Sequence, residues 1–392
     1  MTTTDISQAT SAGNGRIGRW ILRIVLALFS LYVLGEIATN IEMRQWDFRS
    51  YYYAAEIDAD GGNPYNLHDL NRRAKEETVL PFMYPPITLP FFRLFAAMSF
   101  NAAYYVWFVF KLLLAAALIW IWRRYFFPAV DRDLFAWFML LGFGAAVYID
   151  LVTGNITMLE QVLIWAGLVA LLRERLAVFA IAIILASLFK FTPMLFLLLL
   201  PLLHGRRGWM WAVGSAGAFV AVLGVSYLFD TESWRAFLIS VPMADEPGRM
   251  GNPSILSLAR DIVAITTMKT GLVLGNAVAY VLYAIVGVFV VGLSVQHVRG
   301  SRATQRPDWP TIAIYLACLV FALIMPRFKT YSFILVVPPA LYILTRSANF
   351  KTLWPLFALL VLTTSIPFPI SPFIQVFWRY YPLLLVFLVW GL

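Results

Sequence analysis

The chain is 392 residues long, 61% hydrophobic and only 13% charged, with a formal net charge of +9. An ordinary soluble domain carries roughly 25% charged residues, so this composition excludes a hydrated globule built around one core. Nor does the positive charge point to nucleic acid as a partner, because the Lys and Arg residues sit in short loops between apolar runs, where they orient a membrane protein.

The first 16 residues are polar and read as a disordered cytoplasmic tail ahead of a single membrane-embedded domain, 17–392. Ile17–Ala38 is too long for a signal-peptide core and predicts a retained first helix. Further apolar runs follow at roughly 102–122, 134–150, 156–172, 176–189, 192–203, 209–229, 271–295, 311–325, 332–345, 352–366 and 380–392. A hydrocarbon core about 30 Å thick asks for around 20 apolar residues per helix, and lipid offers backbone amides no partners outside a helix. The runs lack the alternation of a membrane β-barrel.

With Arg16, Arg19 and Arg23 inside, these runs predict an all-α fold of about twelve crossings with both termini cytoplasmic. The clusters Arg123–Arg124, Arg173 with Arg175, Arg206–Arg207, Arg299 with Arg302 and Arg306, and Arg346 with Lys351 then all face the same side. Tyr84–Phe100 is apolar but short and proline-rich, and counting it as a crossing inverts every later basic loop; it is expected to be interfacial or re-entrant. The runs 176–189 and 192–203 read as half-helices meeting near Lys190 and Pro193. Two outer segments are long, 39–101 and 230–270, and the second contains an amphipathic stretch, Ser254–Lys269.

The first outer segment carries the most informative residues. Asp47 follows the first helix within Trp46-Asp47-Phe48-Arg49-Ser50-Tyr51-Tyr52-Tyr53-Ala54-Ala55. A carboxylate held among interfacial aromatics is suited to act as a general base toward a sugar hydroxyl; the plainer reading makes Asp47 the N-cap of a helix over 48–56. Gly61-Gly62-Asn63-Pro64-Tyr65 reads as a turn, and Tyr84-Pro85-Pro86 as a rigid lead into a helix. Asp150 and Asn155 flank a helix junction and are expected to be a turn with its cap. Glu160, inside an apolar run, needs a partner. Cys318 is the single cysteine, which leaves no internal disulfide, and three scattered histidines suggest no metal site. No Walker-type loop or Rossmann fingerprint is present.

An Asp soon after the first helix, then Tyr-x-Ala-Ala, Gly-x-Asn-Pro-Tyr and Phe82-Met83-Tyr84-Pro85-Pro86, resembles the membrane glycosyltransferases of the GT-C superfamily. The order is similar to that of glycosyltransferase family 87, the polyprenyl-phosphate-mannose-dependent mannosyltransferases. Gly154-Asn155, Lys190-x-x-Pro193, Arg206–Arg207 and Asn252-Pro253-Ser254 continue the resemblance over most of residues 40–260. It implies a GT-C-like fold, Asp47 as the catalytic base, a polyprenyl-phosphate sugar as donor and a glycolipid or glycan as acceptor. It also implies an inverted product, no metal or other cofactor, and a bacterial inner membrane location with the active site extracytoplasmic. Tyr51, Asn63, Tyr84, Asn155, Asn252 and Tyr331 are the expected substrate contacts. Many members carry a Ser-Trp-x-His segment in a late outer loop; here that place reads Met325-Pro326-Arg327-Phe328-Lys329-Thr330-Tyr331, without histidine.

Basic residues at the outer edges add an independent expectation. Lys190, Arg327, Lys329 and Arg379 all fall there, against the rule for short outer loops. Charge at membrane depth is costly and points to function, so Lys190, Arg327 and Lys329 are candidates to hold the donor phosphate. Arg379 and Arg93 are read as snorkelling toward the membrane lipids around the chain. The rival functional class is a transporter or flippase for a lipid-linked or anionic solute, and a weaker one is a non-catalytic scaffold. A transporter places its charges along a path open to both faces, whereas an enzyme gathers Asp47, Lys190, Arg327 and Lys329 around one cavity.

Overall fold

A computed structural model describes the chain except residues 1–2, 76–78, 245–250, 273–274, 305, 347–353 and 362–371, with side chains also left aside at 3–17, 243–244, 354–357 and 372–378. Among the described residues every regular element is helical. The first helix, α1 (Thr3–Thr39), extends through the polar stretch expected to be disordered, and its apolar part begins at Gly18. The first outer segment then folds into α2 (Trp46–Ala59), α3 (Leu67–Ala74) and, after a 3-10 turn at Pro86–Thr88, α4 (Leu89–Ala96). Membrane-length and shorter helices follow as α5 (Phe100–Ile121), α6 (Arg132–Thr153), α7 (Thr157–Leu172), α8 (Leu176–Phe189) and α9 (Leu199–Phe229). The second outer segment holds α10 (Thr231–Ser240) and α11 (Ile255–Thr270). The chain ends with α12 (Asn276–Ala303), α13 (Trp309–Ile324), α14 (Val337–Arg346), α15 (Trp354–Val361) and α16 (Pro372–Gly391).

Five helical stretches among the described residues are long and apolar enough to cross a membrane: Gly18–Thr39, Phe100–Phe126, Arg132–Thr153, Thr192–Phe229 and Asn276–Ala303. The remaining apolar helices are shorter, so helix length alone does not yield twelve crossings. The break expected between 192–203 and 209–229 is present inside α9, where the chain turns back sharply. Gly205 leaves helical geometry (φ 57, ψ −131), and a Cβ built at Gly208 falls 2.0 Å from the Leu200 carbonyl oxygen, so only glycine fits the reversal. The segment Pro86–Ala96 spans ~16 Å at 1.5 Å per residue, about half the hydrocarbon core, which is too short for a crossing. The break between α8 and the 3-10 turn Thr192–Leu198 falls at Lys190, as the sequence indicates. The expected helix over 352–366 lies partly outside the described residues, as does the Lys351 end of the last basic cluster.

Packing explains why the first outer segment is ordered. It contributes Phe48, Tyr51, Tyr65, Phe82, Tyr84 and Phe92 to a buried cluster that includes Trp107 of α5. Phe48 stacks on Trp107 with ring centroids 4.9 Å apart, and Tyr51 lies 4.7 Å from Phe92. Each buried aromatic side chain removes a large apolar area from water, and such ring pairs add ~0.5–1.5 kcal/mol. α2 is thereby bolted to α4 and α5, which fixes the direction in which Asp47 points.

Candidate active site

A cavity of about 260 Å³ opens beside α2. Asp47, Tyr51, Tyr84, Asn155, Lys190, Arg327, Lys329 and Tyr331 all line it, so eight of the ten candidate residues meet at one place. Ser50, Met83, Glu160, Gln161, Thr192 and Phe328 are also in its wall.

Asp47 is not the helix cap. α2 begins at Trp46, its N-cap is Gln45, and Asp47 lies in the first turn. The carboxylate of Asp47 instead accepts a hydrogen bond of 2.7 Å from the Asn155 amide, 108 residues away. The same amide nitrogen lies 3.3 Å from the Tyr84 hydroxyl and 3.1 Å from the Tyr331 hydroxyl. On its other side, the Asn155 side-chain oxygen Oδ1 accepts from the Thr157 backbone amide (3.0 Å), the Thr157 hydroxyl (2.7 Å) and Lys190 Nζ (3.4 Å). Asn155 therefore separates the Asp47 carboxylate and the Lys190 ammonium by one planar amide. Tyr51 and Tyr84 share a 2.8 Å hydroxyl contact above it.

Asp47 keeps partial exposure, but that exposure is to the cavity. Burial pushes its pKa up to about 6, more than the Asn155 hydrogen bond and the Lys190 charge pull it down. The carboxylate is consequently ionised at neutral pH yet a stronger proton acceptor than an ordinary aspartate. Burial also raises the Tyr51 and Tyr84 phenols, which stay protonated and able to donate.

The cations come from two places. Lys190, at the end of α8, contacts Glu160 at 2.9 Å and the Thr157 hydroxyl at 2.5 Å, which supplies the partner that Glu160 required. Its ammonium sits 5.6 Å from the Tyr331 ring centre. Arg327 and Lys329 are carried by the connection after α13, where Arg327 reaches Met83 Sδ at 3.8 Å. That connection is pinned to the second outer segment. The Asn252 side-chain oxygen accepts from the Phe328 amide (2.8 Å), the Thr330 amide donates to the Gly251 carbonyl (3.0 Å), and the Ser254 hydroxyl donates to the Pro326 carbonyl (2.6 Å).

Several expectations need correction. Asn63 does not line the cavity: its carbonyl accepts the Tyr65 amide at 2.9 Å, a local turn, although Tyr65 in turn donates to the Tyr84 carbonyl. Asn252 is likewise absent from the cavity wall and acts as a brace. Asp150 is not a plain turn residue but a fully buried carboxylate in contact with Lys111. Arg93 and Arg379 are held by Asp58 (2.7 Å) and Asp261 (2.9 Å) respectively, so ion pairs rather than lipid head groups explain them. Lys111 itself was missed. Its only signal is one cation within the apolar run of α5, a costly placement that hydropathy averaging conceals. Among the described residues, no three His, Cys, Asp or Glu side chains come together as ligands for a cation.

No curated protein and no solved structure matches the chain. The family model of glycosyltransferase family 87 does match, over residues 82–326. The matched stretch contains Tyr84, Asn155 and Lys190; Asp47 lies well before it and Arg327 and Lys329 just after it, all lining the same cavity. Since that stretch covers more than half of the chain, the protein belongs to glycosyltransferase family 87.

Proposed function

We propose that this glycosyltransferase moves a sugar, mannose in the first instance, from a polyprenyl-phosphate donor to a hydroxyl of a glycolipid or glycan acceptor at the extracytoplasmic face of the bacterial inner membrane. The observation that carries this reading is one cavity faced by the Asp47 carboxylate and by Lys190, Arg327 and Lys329. In the proposed step the acceptor hydroxyl gives its proton to Asp47 as its oxygen bonds to the anomeric carbon. The bond from that carbon to the phosphate oxygen breaks, and the polyprenyl phosphate leaves with the electron pair from the opposite face, inverting the centre. Charge developing on the leaving phosphate is stabilised by the cations, which are positioned before reaction begins. Arg327 suits a bidentate grip on phosphate oxygens, and the two lysines act as point charges. Tyr51, Tyr84, Asn155 and Tyr331 offer hydroxyl and amide groups to the sugar in this scheme. No cofactor or metal takes part in it, and the surrounding lipids are its only other proposed contacts. Gathering of these charges around one cavity favours an enzyme over a transporter, whose charges would line a path between two faces.

Purified protein incubated with a panel of polyprenyl-phosphate sugars and membrane lipid extracts tests the proposal. Transfer from a mannosyl, arabinosyl or glucosyl donor is the expected result and names the sugar. Transfer only from nucleotide sugars would overturn the donor assignment.

A further inference from the structure

Beneath the cavity lies a set of contacts made by residues that, Asn155 apart, do not line it. Trp107 and Lys111 are one turn apart on α5 and fully buried. The Trp107 indole donates to the Gly154 carbonyl at 3.0 Å. Lys111 donates to both the Asp150 carboxylate and the Asn155 carbonyl. Both therefore grip the junction between α6 and α7 by consecutive main-chain oxygens. The opposite side of the junction is closed by α2: the Gln45 amide donates to the Val152 carbonyl at 2.7 Å, with Gln45 in the left-handed region (φ 52). Gly154 (φ 69) lies so near that a Cβ there would meet Gln45 Cβ at 2.8 Å. The junction is thus clamped between the helix that carries Asp47 and the helix that carries Lys111.

The geometry points to Lys111 as a positioning residue for the transfer reaction: its ammonium, paired with Asp150, sets the main chain at residue 155 so that the Asn155 amide meets the Asp47 carboxylate. A cation buried at this depth is expensive and is hard to account for as packing alone. The inference rests on the reading of Asp47 as the base. The charged and titratable groups that face Asp47 are Lys190, Asp150 with Lys111, Glu160, Arg327 and Lys329, together with Tyr51, Tyr84 and Tyr331. Loss of Lys111 loosens the Asn155 hydrogen bond, and without that bond Asp47 is harder to ionise.

The test is steady-state transfer by the full-length protein in nanodiscs, using the donor found active and Lys111→Met, Asn155→Ala and the double variant. Lys111→Met is expected to lower kcat on the order of 10–100-fold, with donor KM within about 2-fold, and to move the acid limb of the kcat–pH profile upward. In the Asn155→Ala background the same substitution should add nothing. Wild-type kcat with an unmoved limb, or losses that multiply in the double variant, would overturn the inference. Should Lys111→Met fail to fold, Lys111→Met/Asp150→Leu strands no charge; reduced kcat at unchanged KM supports the inference and wild-type kcat overturns it. Asp47→Asn separates the two layers. If that variant remains fully active, the base assignment falls and this inference with it. If it is inactive while Lys111→Met is wild-type, only this inference falls.

Discussion

The Asp47 wall of the cavity is held by side chains from several helices, whereas the Arg327–Lys329 wall is a loop pinned mostly through its main chain. On the first side, Phe48 and Trp107 stack, Asn155 bridges Asp47 to Lys190, and Glu160 anchors Lys190. On the second, three hydrogen bonds from residues 251–254 fix the chain at Pro326, Phe328 and Thr330, and Arg327 reaches Met83. A proton acceptor must meet one hydroxyl at one distance, and effects of geometry on such steps are steep. On the proposed function, the difference in construction divides the labour: one wall would set the chemical step and the other how firmly the donor is held.

Substitutions on the two walls should consequently alter different kinetic constants. The largest expected effect is Asp47→Asn, which removes the proton acceptor while keeping shape; transfer should fall about 10²–10⁴-fold in kcat, the usual range for a general base. A smaller loss would move the proton to another group. Lys190→Met strips the Glu160 anchor and one cation together, and a fall of roughly 10²-fold in kcat/KM is expected from a lost charge-stabilising donor. Steady-state rates at several donor concentrations would show it. Arg327→Ala should instead raise the apparent donor KM about 10-fold with little change in kcat, since a charged hydrogen bond contributes ~1.5–3 kcal/mol. Unchanged donor kinetics would return Arg327 to a lipid-facing role. The smallest change is expected from Asn252→Ala. Loss of two buried hydrogen bonds of ~1 kcal/mol each loosens the loop and should raise donor KM a few-fold while leaving the acid limb where it was. A shifted acid limb in that variant would mean that the two walls are not separate.

The contrast also explains what could be read in the sequence. Asp47, Lys190, Arg327 and Lys329 announced themselves because each is a charge among aromatics or at an outer edge, where charge has no cheap structural reason. Tyr51, Tyr84, Asn155 and Tyr331 followed from the order of short motifs. Asn63 and Asn252 misled because an asparagine that closes a local turn or braces a neighbouring loop looks no different in sequence from one aimed at a sugar. Lys111 and Asp150 stayed hidden because they are 39 residues apart and each sits in a run whose average is apolar. The break inside α6 was equally silent. α6 leaves helical geometry at Gly142 and then passes through the left-handed region at Phe143, Gly144 and Ala145, a course that costs ~1–2 kcal/mol at each of the two non-glycine residues. Stacking of Phe143 on Phe333 (centroids 5.9 Å apart) offsets part of it, and no local pattern encodes that contact.

The pH dependence of single-turnover sugar transfer tests the central claim most directly. Asp47 must be ionised to accept the acceptor proton, so the rate is expected to rise with pH through a midpoint of about 6 and then level. The sign of the shift follows from its causes: burial raises the midpoint and the Asn155 hydrogen bond lowers it, so Asn155→Ala should move it higher still. A rate that is flat from pH 4 to 8, or a midpoint near 6 that persists in Asp47→Asn, would contradict the account.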